Sequence, residues 1–378
     1  FAITNACTPD ATSSASRASS RHADGCVLRS VATATRGARM TPLFHPQPVN
    51  DPFGDPALYV DFRFERRALL FDLGDLTPLP ARKILRLSHV FVSHTHMDHF
   101  AGFDRLLRLC LGRERALVLY GPPGFVDQVE HKLAAYTWNL VHNYPADFTL
   151  TAAELHADQT LHRARFRCRT RFQREPLGFV AVADGMLLDE EGFVVRAVLL
   201  DHDIPCLGFA LEEKLHMNVW KNRLRELGLP TGPWLKELKR LVRRQAPDDT
   251  PLRIHWRDHN GEHERVESVG PLRGEVLHIV PGQKIAYVVD AVYHAENARR
   301  IVELVRNADI LFMETVFLTQ DAERAAARFH LTARQAGTLA RAAGAKHLVP
   351  LHFSPRYSDD PEALRREAEA AFAGNSTQ

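Results

Sequence analysis

The chain has no pair of cysteines in a CxxC arrangement. The five that occur (Cys7, Cys26, Cys110, Cys168 and Cys206) are scattered and odd in number. That pattern argues against a disulfide framework and for a reducing, cytoplasmic location. No apolar run approaches the roughly 20 residues that a membrane-spanning helix needs, so no membrane association is expected. Charge of one sign is also scarce. The formal net charge is +2 over 378 residues, which excludes a grossly basic nucleic-acid coat and leaves room for a local basic patch. Residues 1–39 are poor in acids and have no apolar periodicity. They are read as a disordered leader, with the first methionine, Met40, as the real start. Their Arg-rich composition also fits a transit peptide, but the amphipathic pattern of one is missing.

What remains, residues 40–378, has the texture of a folded domain. A hydrophobic fraction of 45% and a charged fraction of 25% are those of an ordinary globular protein, and the length suits one large domain or two ordinary ones. Apolar, β-rich runs at 57–64 and 68–72, "HVFVSH", "ALVLYG", "RAVLLDH", "KIAYVVD", "DILFMET" and "HLVPLH" read as strands. "GFDRLLRLCLG", "FVDQVEHKLAAY", "AENARRIVELVRNA" and "LTARQAGTLARAAGA" read as helices. Strands alternating with helices predict an α/β layered domain. Residues 211–285 interrupt the rhythm with charged helical segments broken by "GLPTGP" and a polar hairpin, "RIHWRDHNGEHERVE". They are expected to form an arm inserted into the core.

Histidine is abundant, with 20 residues, and "FVSHTHMDHF" places three of them and one aspartate within six positions. The stretch follows a buried β-run, so His94 and His96 project to one side as residues i and i+2 do. Asp98 and His99 open the next helix and reach back toward the strand end. Imidazole and carboxylate suit a borderline divalent metal, zinc first. Four such ligands exceed one structural site and suit two ions about 3.5–4 Å apart.

"SHTHMDH" resembles the signature of the metallo-β-lactamase superfamily, and the order of motifs over residues 57–357 resembles its ribonuclease Z branch. The resemblance implies a four-layer αββα sandwich carrying the inserted arm. "LLFDLGD" is similar to the strand pair that precedes the HxHxDH loop. "LLDHDIPCLGF" implies His202 as the next ligand, "KIAYVVDA" implies Asp290 as the metal-bridging aspartate, and "PLHFSPRY" implies His352 as the last ligand. "LFMET" aligns Glu314 and "FHLTARQAG" aligns His330. The residues' own settings agree: His202, Asp290 and His352 each end a β-run. The expected arrangement is one zinc, or another divalent ion, on His94, His96 and His202. A second sits on Asp98, His99 and His352, with Asp290 bridging. A hydroxide between the ions would attack a phosphodiester in line, with Asp98, His330 and Glu314 as the proton-handling residues.

For the substrate, "LRELGLPTGPWLKELKR" resembles the Gly-Pro-bearing arm with which ribonuclease Z grips tRNA. On a helix, Lys236, Arg240 and Arg244 align, flanked by Lys239 and Arg243, as a stripe for RNA phosphates. The resemblance implies an endoribonuclease that trims the 3′ end of precursor tRNA, as a possible homodimer. The alternatives are a hydrolase of a small phosphodiester or lactone and a nucleic-acid-binding scaffold with a degenerate site. Two departures from the family pattern stand out. No GTG-like turn precedes "ALYVDFRF", and Val289 and Ala291 replace the usual neighbours of the bridging aspartate. "VHNYPADFTLTAAELH", Trp138 and Asn139 carry no readable motif.

Overall fold

The strands form where the chain is apolar and β-branched, and the arrangement is set by which faces those runs must hide. In the computed structural model, residues 42–259 and 261–375 are described. The leader expected over 1–39 lies outside the described residues. The first sheet is β1 (Phe44–Pro48), β2 (Leu58–Phe62), β3 (Ala68–Phe71), β4 (Leu87–Phe91), β5 (Arg115–Gly121), β6 (Phe148–Leu155), β7 (Thr160–Arg167) and β8 (Arg174–Ala181), in that order. β3 to β6 run parallel. The chain then crosses to β9 (Met186–Asp189), β10 (Phe193–Asp201) and β11 (Pro205–Glu213).

The arm follows. It contains β12 (His216–Val219), the helices Lys221–Glu226 and Trp234–Arg243, the hairpin β13 (Pro251–Asp258) and β14 (Gly261–Ser268), the helix Val269–Val276 and β15 (Leu277–Val280). The core resumes with β16 (Lys284–Val288), β17 (Ile310–Glu314) and β18 (Leu348–Leu351). The second sheet has the order β18-β17-β16-β11-β10-β9, with β16, β17 and β18 parallel. Residues 211–213 complete β11 and residues 284–285 open β16, so the segment outside the sheets is 214–283.

The two sheets face each other across a core that includes Phe44, Phe71, Phe91, Phe209, Tyr287 and Phe312. The outer face of the first sheet packs with Phe103, Leu106 and Leu107 of the helix Phe103–Cys110 and with Phe125 and Val129 of Phe125–Ala134. The outer face of the second packs with Ile301 and Leu304 of Ala295–Val305 and Leu339 of Ala333–Ala342. The layers are therefore helix, sheet, sheet, helix, the αββα sandwich. The arm has its own apolar cluster around Trp234, Leu238, Ile254 and Leu272. Trp138, unread in the sequence, packs on Phe172 and donates from Nε1 to the Leu133 carbonyl. "FTLTAAEL" is β6, a strand hidden in the sequence by its small and polar residues.

Parallel pairing has a consequence for chemistry. It sends the C-terminal ends of β3 and β4 to one edge of the first sheet, and those of β16, β17 and β18 to one edge of the second. Asp72, His94, Asp290, Glu314 and His352 all sit at such ends.

Candidate metal centre

The site is assembled at those strand ends. His94 and His96 follow β4, and His96 leads into the short helix Met97–Phe100, which carries Asp98 and His99. His202 stands in the tight turn between β10 and β11, on the same edge as Asp290. Asp290 and His352 follow β16 and β18 with φ of 52° and 59°, and Asp72 follows β3 with φ of 59°. Left-handed backbone at non-glycine residues is uncommon and clusters at functional sites.

Ligand atoms of His94, His96, His202 and Asp290 lie within 4.8 Å of one another, as do those of Asp98, His99 and His352. Asp290 joins the two groups. Its Oδ2 is 3.4 Å from His94 Nε2, 3.3 Å from His99 Nε2 and 3.4 Å from His202 Nε2. Its Oδ1 is 2.8 Å from His352 Nδ1 without forming a hydrogen bond. Asp98 Oδ2 stands 3.4 Å from both His99 Nε2 and His352 Nε2. His94, His99, His202 and Asp290 are buried.

These residues fit a pair of divalent ions. His94 Nε2, His99 Nε2, Asp290 Oδ1 and His352 Nδ1 are buried polar atoms with no hydrogen-bond partner. Atoms of that kind are costly unless something binds them. Imidazole nitrogens with carboxylate oxygens are the donor set that zinc takes. The surroundings aim the rings. His99 Nδ1 donates to Asp72 Oδ2 at 2.9 Å, and His202 Nδ1 donates to the Phe329 carbonyl at 2.8 Å. Both leave Nε2 for a metal. Asp72 also accepts from Ser93 N at 2.6 Å, Ser93 Oγ at 2.9 Å and Tyr287 Oη at 2.9 Å.

Charge in the metal-free chain follows the same geometry. Burial, helped by His99, pushes His94 down to about 2, so its ring is neutral and free to ligate. Burial opposes a charge on His352, but Asp290 overcomes it and raises the group to about 10. Burial likewise opposes His99, and Asp290 with Asp72 holds it well above its usual value. Protons thus sit among the carboxylates where cations would, and metal binding must release them.

Glu314 and His330 adjoin the centre. His330 Nδ1 donates to Glu314 Oε2 at 2.8 Å and lies 4.0 Å from Asp290 Oδ1. Glu314 Oε1 accepts from Ala291 N at 2.8 Å and Leu331 N at 3.3 Å. The buried carboxylate therefore ties the Asp290 turn to the His330 turn, and it caps no helix. Burial works against a charge on His330, but Glu314 outweighs it and raises the group. His330 and His352 line a cavity of about 330 Å³ with Arg324, Arg328 and Arg356.

Of the residues expected from sequence, His94, His96, Asp98, His99, His202, Asp290, Glu314, His330 and His352 come together here. The basic stripe lies away from them, on the arm helix Trp234–Arg243 and its C-terminal neighbour Arg244. Lys236 and Arg244 are exposed. Lys239 instead donates to the Met217 carbonyl at 2.6 Å, Arg240 is engaged by Glu237 at 2.7 Å, and Arg243 is half-buried. Asp72, Ser93 and Tyr287 were not singled out in the sequence. Asp72 carried a usable signal, an acid ending an apolar run as Asp290 does.

Comparison with known proteins follows this geometry. No family model matches the chain. It is 32% identical over 336 residues to a ribonuclease Z of Deinococcus radiodurans, covering 86% of this chain and 94% of that protein. The chain belongs to the ribonuclease Z family. A ribonuclease Z of Rippkaea orientalis is 30% identical over 327 residues, covering 83% and 87% of the two chains. One of Natronomonas pharaonis is 30% identical over 327 residues, covering 84% and 87%. Among solved structures, the short form of human tRNase Z matches with a TM-score of 0.45 and 20% identity, over 83% of this chain and 93% of that one. Membership of the ribonuclease Z family gives the nine clustered residues a common context. Among the described residues, no helix is long and apolar enough to cross a membrane.

Proposed function

We propose that this chain is a metal-dependent endoribonuclease that removes the 3′ extension of precursor tRNA. The observation that carries the reading is Asp290, whose carboxylate touches both ligand groups, in a chain that belongs to the ribonuclease Z family. His94, His96 and His202 would hold one ion, and Asp98, His99 and His352 the other. Bound there, two zinc ions supply Lewis acidity toward the phosphodiester and make water more acidic. The chain's own residues do the rest. Asp290 and Asp98 fix the rings' spacing by charge. Asp72 holds His99 in one tautomer. His330 has its Nδ1 proton committed to Glu314, so its Nε2 is the atom left to give a proton to the leaving oxygen. Glu314 acts as the positioning group for His330.

The arm supplies exposed Lys236 and Arg244 for phosphate contacts, and a second copy of the chain, as in a homodimer, would carry a second arm. Hydrolysis of a small phosphodiester or a lactone is not favoured, because the relatives reported above are ribonucleases. The test is a parallel assay on a 3′-extended precursor tRNA and on bis-p-nitrophenyl phosphate. Cleavage of the tRNA at its 3′ junction is expected, with loss of tRNA cleavage but not ester cleavage in a Lys236→Ala, Arg244→Ala variant. Ester cleavage alone would replace this reading with the small-ester one. Gel filtration with light scattering reads the oligomeric state.

A further inference from the structure

The centre is not the only group of metal-binding side chains on its sheet edge. β6 lies two strands over from β4 and runs parallel to it through β5, so its C-terminal end reaches the same edge, on the order of 10 Å away in the sheet plane. Glu154 is near that end and His156 follows it, spaced i and i+2 on one face. His162 sits directly across from Glu154 in the antiparallel register of β7. The turn is closed by His156 N donating to the Thr160 carbonyl at 2.9 Å. Ligand atoms of Glu154, His156 and His162 lie within 4.8 Å of one another.

Three details set this cluster apart from a surface ion pair. Glu154 is held at both oxygens: Oε2 accepts from Val126 N at 2.9 Å, and Oε1 is 2.9 Å from His156 Nε2. The carboxylate is thus oriented before anything binds. The His156 and His162 rings are stacked at 4.1 Å, side by side along one face. The ring nitrogens of His162 have no hydrogen-bond partner among the described residues, and the residue is exposed. Two imidazoles and one carboxylate, with solvent on the remaining side, make a donor set with one position left open for water.

We propose that Glu154, His156 and His162 form an additional divalent-cation site, of the imidazole–carboxylate class that takes zinc or nickel. It shares no residue with the centre on Asp290. An ion there would fasten the β6–β7 turn to the start of the helix Phe125–Ala134, because Glu154 already binds Val126. Glu154 and His156 close the stretch of sequence that offered no motif, and His162 follows six residues later.

The experiment is equilibrium dialysis of the full chain against micromolar free zinc, followed by elemental analysis. The wild-type chain is expected to carry one more zinc per chain than the His156→Ala, His162→Ala variant, with tRNA cleavage the same in both. Equal stoichiometry in the two proteins overturns the proposal. Because the comparison reads a difference, it is independent of how many ions the Asp290 centre holds. Circular dichroism checks that the variant is folded. If it is not, Glu154→Gln, which keeps volume and an acceptor for Val126, is compared in its place, with the same expected loss of one zinc.

Discussion

The metal edge and the arm are built on opposite terms. At the edge, ligands from four separate segments converge where strands end together, and two carboxylates beside them, Asp72 and Glu314, are fixed from behind. Asp72 has four donors, and Glu314 bonds two backbone amides and one imidazole. The arm grows from one interruption and packs on its own small core. Its root is a tight joint, where Glu213 accepts from Gln283 N at 3.2 Å and stands 3.0 Å from His216 Nδ1. A Cβ at Gly282 would come within 1.9 Å of the Glu213 carbonyl oxygen, so glycine is required there. Beyond the root, arm charges mostly meet solvent or each other, as Arg223 meets Glu226 and Arg253 meets Glu264. The clustered ligand set thus rests on the two-sheet frame, while the arm is an appended unit with its own core.

Breaking the edge should cost most. Asp290→Ala removes the carboxylate common to both ligand groups. It is expected to abolish cleavage of tRNA and of the small ester alike, together with most bound zinc by elemental analysis. Asp72→Asn keeps the shape but weakens the hold on His99. Such changes behind a ligand typically cost about 10–100-fold in metal affinity, which a chelator competition measures. Unchanged affinity would detach Asp72 from the centre.

Breaking the arm should separate the two activities. Trp234 is buried at the arm's centre, and its Nε1 donates to the Pro230 carbonyl at 2.9 Å. Trp234→Ala is expected to cost about 3–5 kcal/mol locally. It should lower tRNA cleavage while leaving ester hydrolysis near wild type. Equal loss on both substrates would mean that the arm supports the edge after all.

The smallest effect is one of pH on the frame between the sheets. Burial, with Arg67 adding to it against Glu190, pushes His89 down to about 4 from its usual 6.5. Between those values the unfolded chain binds a proton there and the folded chain does not. Stability is therefore full above about pH 6.5 and falls as pH drops toward 4. Replacing His89 with Gln should flatten that part of a stability-versus-pH curve from urea unfolding. An unchanged slope would assign it to other groups.

What could be read in the sequence follows from the same contrast. HxHxDH was legible because four ligands on consecutive turns need no knowledge of the fold. His202, Asp290 and His352 were legible as polar residues ending apolar runs, with the family resemblance to order them. Tyr287 was not, because inside "KIAYVVD" it looks like any core aromatic, and only the approach of the second sheet puts its hydroxyl on Asp72. β6 escaped because its alternation of Phe148, Thr149, Leu150 and Thr151 is short, breaks at Ala152 and Ala153, and comes with no strong apolar run. Within the basic stripe, a helical wheel cannot know that Lys239 turns inward to a carbonyl or Arg240 back onto Glu237.

The most direct test is metal dependence on the natural class of substrate. The full chain is stripped with a chelator, assayed on a 3′-extended precursor tRNA, then reloaded with zinc and assayed again. The account predicts no cleavage from the stripped chain and restored cleavage at the 3′ junction as the bound zinc reaches two equivalents at the Asp290 centre. Cleavage by the stripped chain at the rate of the loaded one would contradict it.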